Sequence, residues 1–154
     1  MKRFLTFQSL AAILLFLISG LSSCTKYSFM PLEEKIIGIW DFENVTYRPG
    51  LFKSRQNITW QYQQFEYDFQ YTGDFIMRDK TTGSEFFGKW TMTELSTGYD
   101  NPETTHTLHI SVYNPSAGSI EQMVWEIESI TAKRLRATEN WGAEEWAYRM
   151  VRQD

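Results

Sequence analysis

From about residue 36 onward, apolar and polar side chains alternate with a period of two, in short runs separated by Gly, Asn, Pro and Ser. That pattern belongs to strands buried on one face, and it predicts an all-β domain. The clearest run is 85–93. Phe86, Gly88, Trp90 and Met92 share one face and Glu85, Lys89, Thr91 and Thr93 the other, with Phe87 out of place. Residues 106–113 repeat the pattern, with Leu108, Ile110 and Val112 set against Thr107, His109 and Ser111. Runs at 36–42, 65–71, 75–77, 123–127, 134–138 and 146–150 complete a series of eight predicted strands. Most connectors are short, as hairpins require, and no amphipathic helical stretch lies between them, which argues against parallel βαβ crossovers.

The first connection, from Tyr47 to about Thr59, is the long one and opens with Arg48-Pro49-Gly50. Trp60 and Tyr62 then fall on even positions, whereas Phe65, Tyr67, Phe69 and Tyr71 fall on odd ones. The change of phase near Gln63-Gln64 predicts a bulge or a late strand start. Eight antiparallel strands in sequential order lose their exposed edges by closing on themselves. The predicted architecture is therefore an eight-stranded antiparallel up-and-down barrel.

The N-terminus alters this picture. Met1-Lys2-Arg3 precedes an apolar run, 10–18, and Leu21-Ser22-Ser23-Cys24 follows. The run is too short to span a bilayer as a helix. It resembles a bacterial lipoprotein signal, in which small residues precede the cysteine that becomes the new N-terminus. The resemblance implies cleavage after Ser23, a diacylglyceryl thioether on Cys24 and an N-linked acyl chain (palmitate). Two or more chains attach a protein durably, at roughly 0.8 kcal/mol per buried methylene. The expected organisation is a signal peptide over 1–23, a lipidated N-terminus and tether over 24–34, and the barrel over 35–154. Thr25 is not the aspartate of inner-membrane retention, and Lys26-Tyr27-Ser28 lacks the acidic pair of surface-export signals. These features imply an outer-membrane protein facing the periplasm.

Lys2 and Arg3 leave with the signal, taking the net charge from −4 to about −6. An acidic domain argues against a nucleic-acid partner and against docking on anionic lipid through a basic patch. Cys24 is the only cysteine, so no internal disulfide is expected and stability must come from burial. Six Trp, eight Tyr and eleven Phe supply it.

Four motifs resemble those of small lipocalin-like lipoproteins of the Bacteroidota type. Gly38-Ile39-Trp40 matches the lipocalin Gly-x-Trp signature, and Tyr67-x-Phe69-x-x-x-Gly73-x-Phe75 matches a recurrent hairpin. Gly88-Lys89-Trp90-Thr91-Met92 resembles a second Gly-x-Trp strand. Residues 125–130, followed by Arg134-Leu135-Arg136, resemble the closing hairpin. The resemblance covers roughly 36–139 and implies a lipocalin-like calyx with a small-molecule or partner-binding role. In lipocalins an arginine of the last strand usually covers the signature tryptophan. Arg149 is the candidate here, although simple alternation sets it opposite the face of Trp146 and Tyr148.

The face taken as inward offers Trp40, Phe75, Phe86, Trp90, Trp125, Trp146 and Tyr148 as lining for a small apolar or amphipathic ligand, with Tyr148 as a polar contact. The same side chains also read as the packed core of a small barrel, whose interior eight strands just fill. The odd-phase set Phe65, Tyr67, Phe69 and Tyr71 reads as core; any part of it left outside, with Trp60, Tyr62 and Tyr99, would instead form a surface for an envelope protein or a glycan. His106 and His109 are three apart on a strand and face opposite ways, so they do not form a metal site together. Asp100-Asn101-Pro102-Glu103 lacks the alternating ligands of a calcium loop. Glu126 and Glu128 share a face that reads as an ordinary solvated one. There is no nucleophile elbow, phosphate loop or zinc-protease motif, so catalytic residues, metals and cofactors are all expected to be none. The expected function is non-catalytic: a ligand enters an open mouth gated by the long first connection. The alternative is a filled barrel that binds through its surface.

Overall fold

The computed structural model describes residues 30–97 and 103–153; Cys24, the signal segment, Tyr99 and the Asp100-Asn101-Pro102 loop lie outside them. Leu32–Ile36 forms a helix, α1, where strand had been expected from Ile36. Leu-Glu-Glu-Lys are strong helix formers, Pro31 suits the entry to a helix, and the two glutamates sit at the positive end of the dipole. The barrel unit thus begins at Leu32, and Ile36 is fully buried at its lower end.

The strands are β1 (Gly38–Arg48), β2 (Gln56–Asn57), β3 (Phe65–Phe69), β4 (Asp74–Asp79), β5 (Glu85–Thr97), β6 (Glu103–Asn114), β7 (Ser119–Ile130), β8 (Arg134–Trp141) and β9 (Glu144–Arg152). Every pairing is antiparallel. β1 and β3 to β9 follow one another around the sheet, and β9 pairs back with β1 from Trp40↔Arg152 to Arg48↔Glu145. The result is a closed eight-stranded up-and-down barrel. β2 is a two-residue appendix on the upper part of β1, with Thr46↔Asn57 and Tyr47↔Gln56. Each predicted strand overlaps an observed one; β3 stops at Phe69, short of the expected residue 71, and the other seven run past the expected bounds at one or both ends.

The phase change before Phe65 is a late strand start. Thr59–Gln61 form a 3₁₀ turn and β3 begins four residues after it. Thr59 pins this segment to β1: the Val45 N–H donates to its hydroxyl at 2.8 Å, and the Ile58 N–H donates to the Val45 carbonyl at 2.9 Å. Bulges at Glu43 and Glu128 shift the register of β1 against β9 and of β7 against β8. After the first bulge the inward phase of β1 changes from Trp40 and Phe42 to Val45.

At Gly88 the backbone of β6 lies close over β5. A β-carbon there would lie 1.9 Å from the Ser111 carbonyl oxygen, so β5 can cross β6 at this point only without a side chain.

Candidate functional site

The lower end of the barrel is closed. The Trp40 indole N–H donates to the Ile36 carbonyl at 2.7 Å, and the Arg152 guanidinium lies over its ring at 4.6 Å. Arg152 also donates to the Ile37 carbonyl at 2.8 Å and to the Lys35 carbonyl, strapping α1 and the start of β1 across the barrel. Gly38 has φ +128°, and a β-carbon there would sit 3.3 Å from the arginine, which explains the glycine of Gly-x-Trp. The arginine over the tryptophan is therefore Arg152, not Arg149. Arg152 shares the inward phase of Tyr148 and Met150, whereas Arg149 is exposed on the outer wall opposite Arg136. Trp90 seals the neighbouring β3–β4 turn, its indole N–H donating to the Gln70 carbonyl at 3.0 Å.

Above this floor the middle of the lumen is packed with rings. Trp125 stacks between Tyr67 (5.8 Å, 15°) and Tyr148 (4.7 Å, 27°). Phe42 meets Tyr67 edge-on at 4.9 Å, and Tyr67 meets Phe75 edge-on at 5.1 Å. Tyr62, from the long first connection, reaches over this layer to within 5.2 Å of Phe42 and 5.9 Å of Tyr148. Such contacts add about 0.5–1.5 kcal/mol each beyond area burial. Trp125 Nε1 is buried and has no acceptor among the described residues.

One carboxylate is buried with these rings. Glu139 is almost fully buried; its Oε2 accepts from the Tyr148 hydroxyl at 2.8 Å, and its Oε1 from Trp141 Nε1 at 3.1 Å and the Val124 N–H at 3.4 Å. Burial, with Glu139 nearby, holds the Tyr67 and Tyr148 hydroxyls well above the usual tyrosine range. Tyr62 is raised for the same first reason. Sequence reading passed over Glu139. The signal was present, because it shares a phase with buried Leu135 and Ala137.

Open space lies at the upper end. A cleft of about 280 Å³ is walled by Phe65, Met77, Phe86 and Val112 and rimmed by Tyr113, Asn114, Ser116 and Glu121. Phe65, Met77 and Phe86 pack only partly against the core, and their free faces form the apolar lining. Of the expected ligand-facing residues, Phe86 lines this cleft. Trp40, Phe75, Trp90, Trp125 and Tyr148 belong to the packed layers, and Trp146 lies at the upper rim against Tyr47, ring to ring at 4.7 Å. The long connection displays Phe52, 99% exposed, beside Leu51, while Arg48 and Arg55 at its two ends both pair with Glu145.

Among the described residues no three His, Cys, Asp or Glu side chains gather as a metal-binding group. His109 Nε2 lies 3.2 Å from the Thr93 hydroxyl on the outer wall. No family model, curated protein or solved structure matches the chain.

Proposed function

We propose that this chain is a lipid-anchored, lipocalin-like envelope protein that holds the apolar end of a small molecule in the mouth of its barrel. The observation that carries this reading is the apolar cleft over Phe65, Met77 and Phe86, above a lumen otherwise filled by aromatic rings. At about 280 Å³ it sits at the small end of ligand pockets and suits a chain terminus or a single ring, not a whole lipid. Glu121 is the only charged residue of the lining, and no Lys or Arg contributes. The polar end of the ligand is accordingly neutral or cationic, because Glu121, held by the Asn114 amide at 2.6 Å, repels an anionic head and the lining offers no cation to offset it. The lipobox at Leu21-Ser22-Ser23-Cys24 supports the anchor, and through it a place in the outer membrane facing the periplasm.

The test is native mass spectrometry of the protein extracted from its own envelope, followed by tryptophan fluorescence titration. Dodecylamine and dodecanol should give saturable changes and dodecanoate a weaker one, and Met77→Arg should abolish all three. A bare mass together with flat titrations would sink the carrier reading. Cys24→Ala should move the protein from the membrane to the soluble fraction and remove palmitate labelling.

A second reading has its own support. On the outer wall Ile76 pairs with Phe87 and Tyr113 with Ile120, and Gly88 opposite Val112 brings Phe87 beside Tyr113. Phe87, Tyr113 and Ile120 are all exposed. In this reading the barrel is solid, and this apolar band holds an envelope protein or a glycan. A photo-crosslinker at Phe87 that captures one discrete partner, with no ligand on the purified protein, favours it.

A further inference from the structure

On the opposite side of the barrel, four residues form one row across the outer wall. Asn44 on β1 pairs with Arg149 on β9, Arg149 with Arg136 on β8, and Arg136 with Ser129 on β7. Two arginines thus stand directly opposite each other on one face, an arrangement that opposes folding through like-charge repulsion. Arg134, two residues before Arg136 in β8, adds a third cation to the same face. These arginines line an open depression of about 470 Å³ with Glu43 and Asn44.

The neighbouring carboxylates do not neutralise it. Glu43 reaches Arg134 at only 3.8 Å, and Asp41, in the next row, is engaged by Lys80 at 2.9 Å. No ion pair to Arg136 or Arg149 occurs among the described residues. Elsewhere on the wall this chain treats arginine differently. Arg78 lies between Glu66 at 2.8 Å, Glu85 at 2.8 Å and Asp68 at 3.1 Å, and Arg48 and Arg55 share Glu145. An acidic protein that pairs its other outer arginines has left two facing each other over a hollow.

We propose that this groove is a binding site for a phosphate-type oxyanion. Arg136 and Arg149 supply the paired guanidinium forks, Arg134 a third positive charge, and Asn44 a flanking hydrogen bond. Guanidinium forks match phosphate oxygens geometrically, and a dianion turns their mutual repulsion into shared attraction. The site is on the outer wall and is independent of the mouth reading. Its phosphate comes either from a soluble phosphate monoester or from a phospholipid headgroup.

The experiment is thermal unfolding of the full chain at constant ionic strength, with chloride replaced stepwise by inorganic phosphate. Parallel arms use glycerol phosphate, dihexanoyl phosphatidylglycerol below its micelle concentration, and dihexanoyl phosphatidylcholine as control. The midpoint should rise saturably with phosphate. Arg136→Gln and Arg149→Gln should each weaken the apparent affinity about tenfold or more. Lys53→Gln, which removes the same charge elsewhere, should leave it unchanged. Response to phosphate and glycerol phosphate identifies a soluble ligand; response to phosphatidylglycerol alone identifies a headgroup. Without phosphate and at low salt, Arg136→Thr should unfold at a higher temperature than the parent. The proposal is overturned if no arm shifts the midpoint, or if the phosphate shift persists in the Arg136→Gln/Arg149→Gln variant.

Discussion

Tyr148 shows how much a single position can carry. Its ring stacks on Trp125 and its hydroxyl ends on Glu139 inside the barrel. Both the Glu139 carboxylate and the hydroxyl depend on partners that water would otherwise supply. Glu139→Leu strands the buried Tyr148 hydroxyl and takes the shared acceptor from the Trp141 and Val124 N–H groups, and should cost about 1–3 kcal/mol in urea unfolding. The tyrosines also give a pH signature. Tyr62, Tyr67 and Tyr148 are held protonated above the ordinary value near 10, chiefly by burial. The folded state therefore keeps protons that the unfolded chain releases. Their contribution is complete below about pH 10 and is lost as pH rises beyond it. In a titration followed at 295 nm and by circular dichroism, part of the tyrosinate absorbance should appear only as the barrel unfolds.

Among the elements, the β5–β6 hairpin and the α1–β1 junction are the most demanding. Gly88→Ala drives a methyl into the Ser111 carbonyl, and β5 and β6 must separate to admit it. The expected loss is about 3 kcal/mol, at the upper end of overpacking effects, read as a lowered urea midpoint. The junction depends on Arg152, which covers Trp40 and ties the α1 end through two carbonyls. Arg152→Met keeps much of the apolar cover but loses the charge and its hydrogen bonds. It should cost about 2–4 kcal/mol and free the α1 amides to exchange faster with deuterium. Arg149→Met, at the position alternation sets on the outer wall, should cost nothing comparable. That contrast separates the two arginines directly.

At the scale of the whole molecule, the β1–β9 pairing joins the two ends of the eight-stranded sheet, with β2 left as a short edge beside β1, and encloses a lumen packed below and open above. Much of this was readable along the chain. Period-two burial is local, so it specified eight strands, their order and the inward face of most of them. The long first connection and the late start of β3 were likewise visible as a break in phase. Bulges were harder to see, because Glu43 and Glu128 are ordinary polar residues whose extra place in the ladder exists only relative to a partner strand. Arg149, suggested by the resemblance, runs against the alternation of β9; Arg152 follows it, and closure of the barrel sets Arg152 beside Trp40.

The candidate site divides the same way. Sequence alone determined which side chains point inward, since a strand has two faces and the apolar one must be buried. It left open whether the inward aromatics fill the barrel or line a cavity, and Trp60, Tyr71 and Trp141 in fact lie outside. Only the tertiary structure decided which inward aromatics spend their polar atoms on nearby carbonyls or carboxylates and which keep an open face. A cleft is the difference between the volume the strands enclose and the volume their side chains occupy. That difference depends on register, bulges and the seating of Tyr62 over the ring layer. The Asn44–Arg149–Arg136–Ser129 row has the same origin: four strands contribute one residue each, and no pattern within a single strand encodes their meeting.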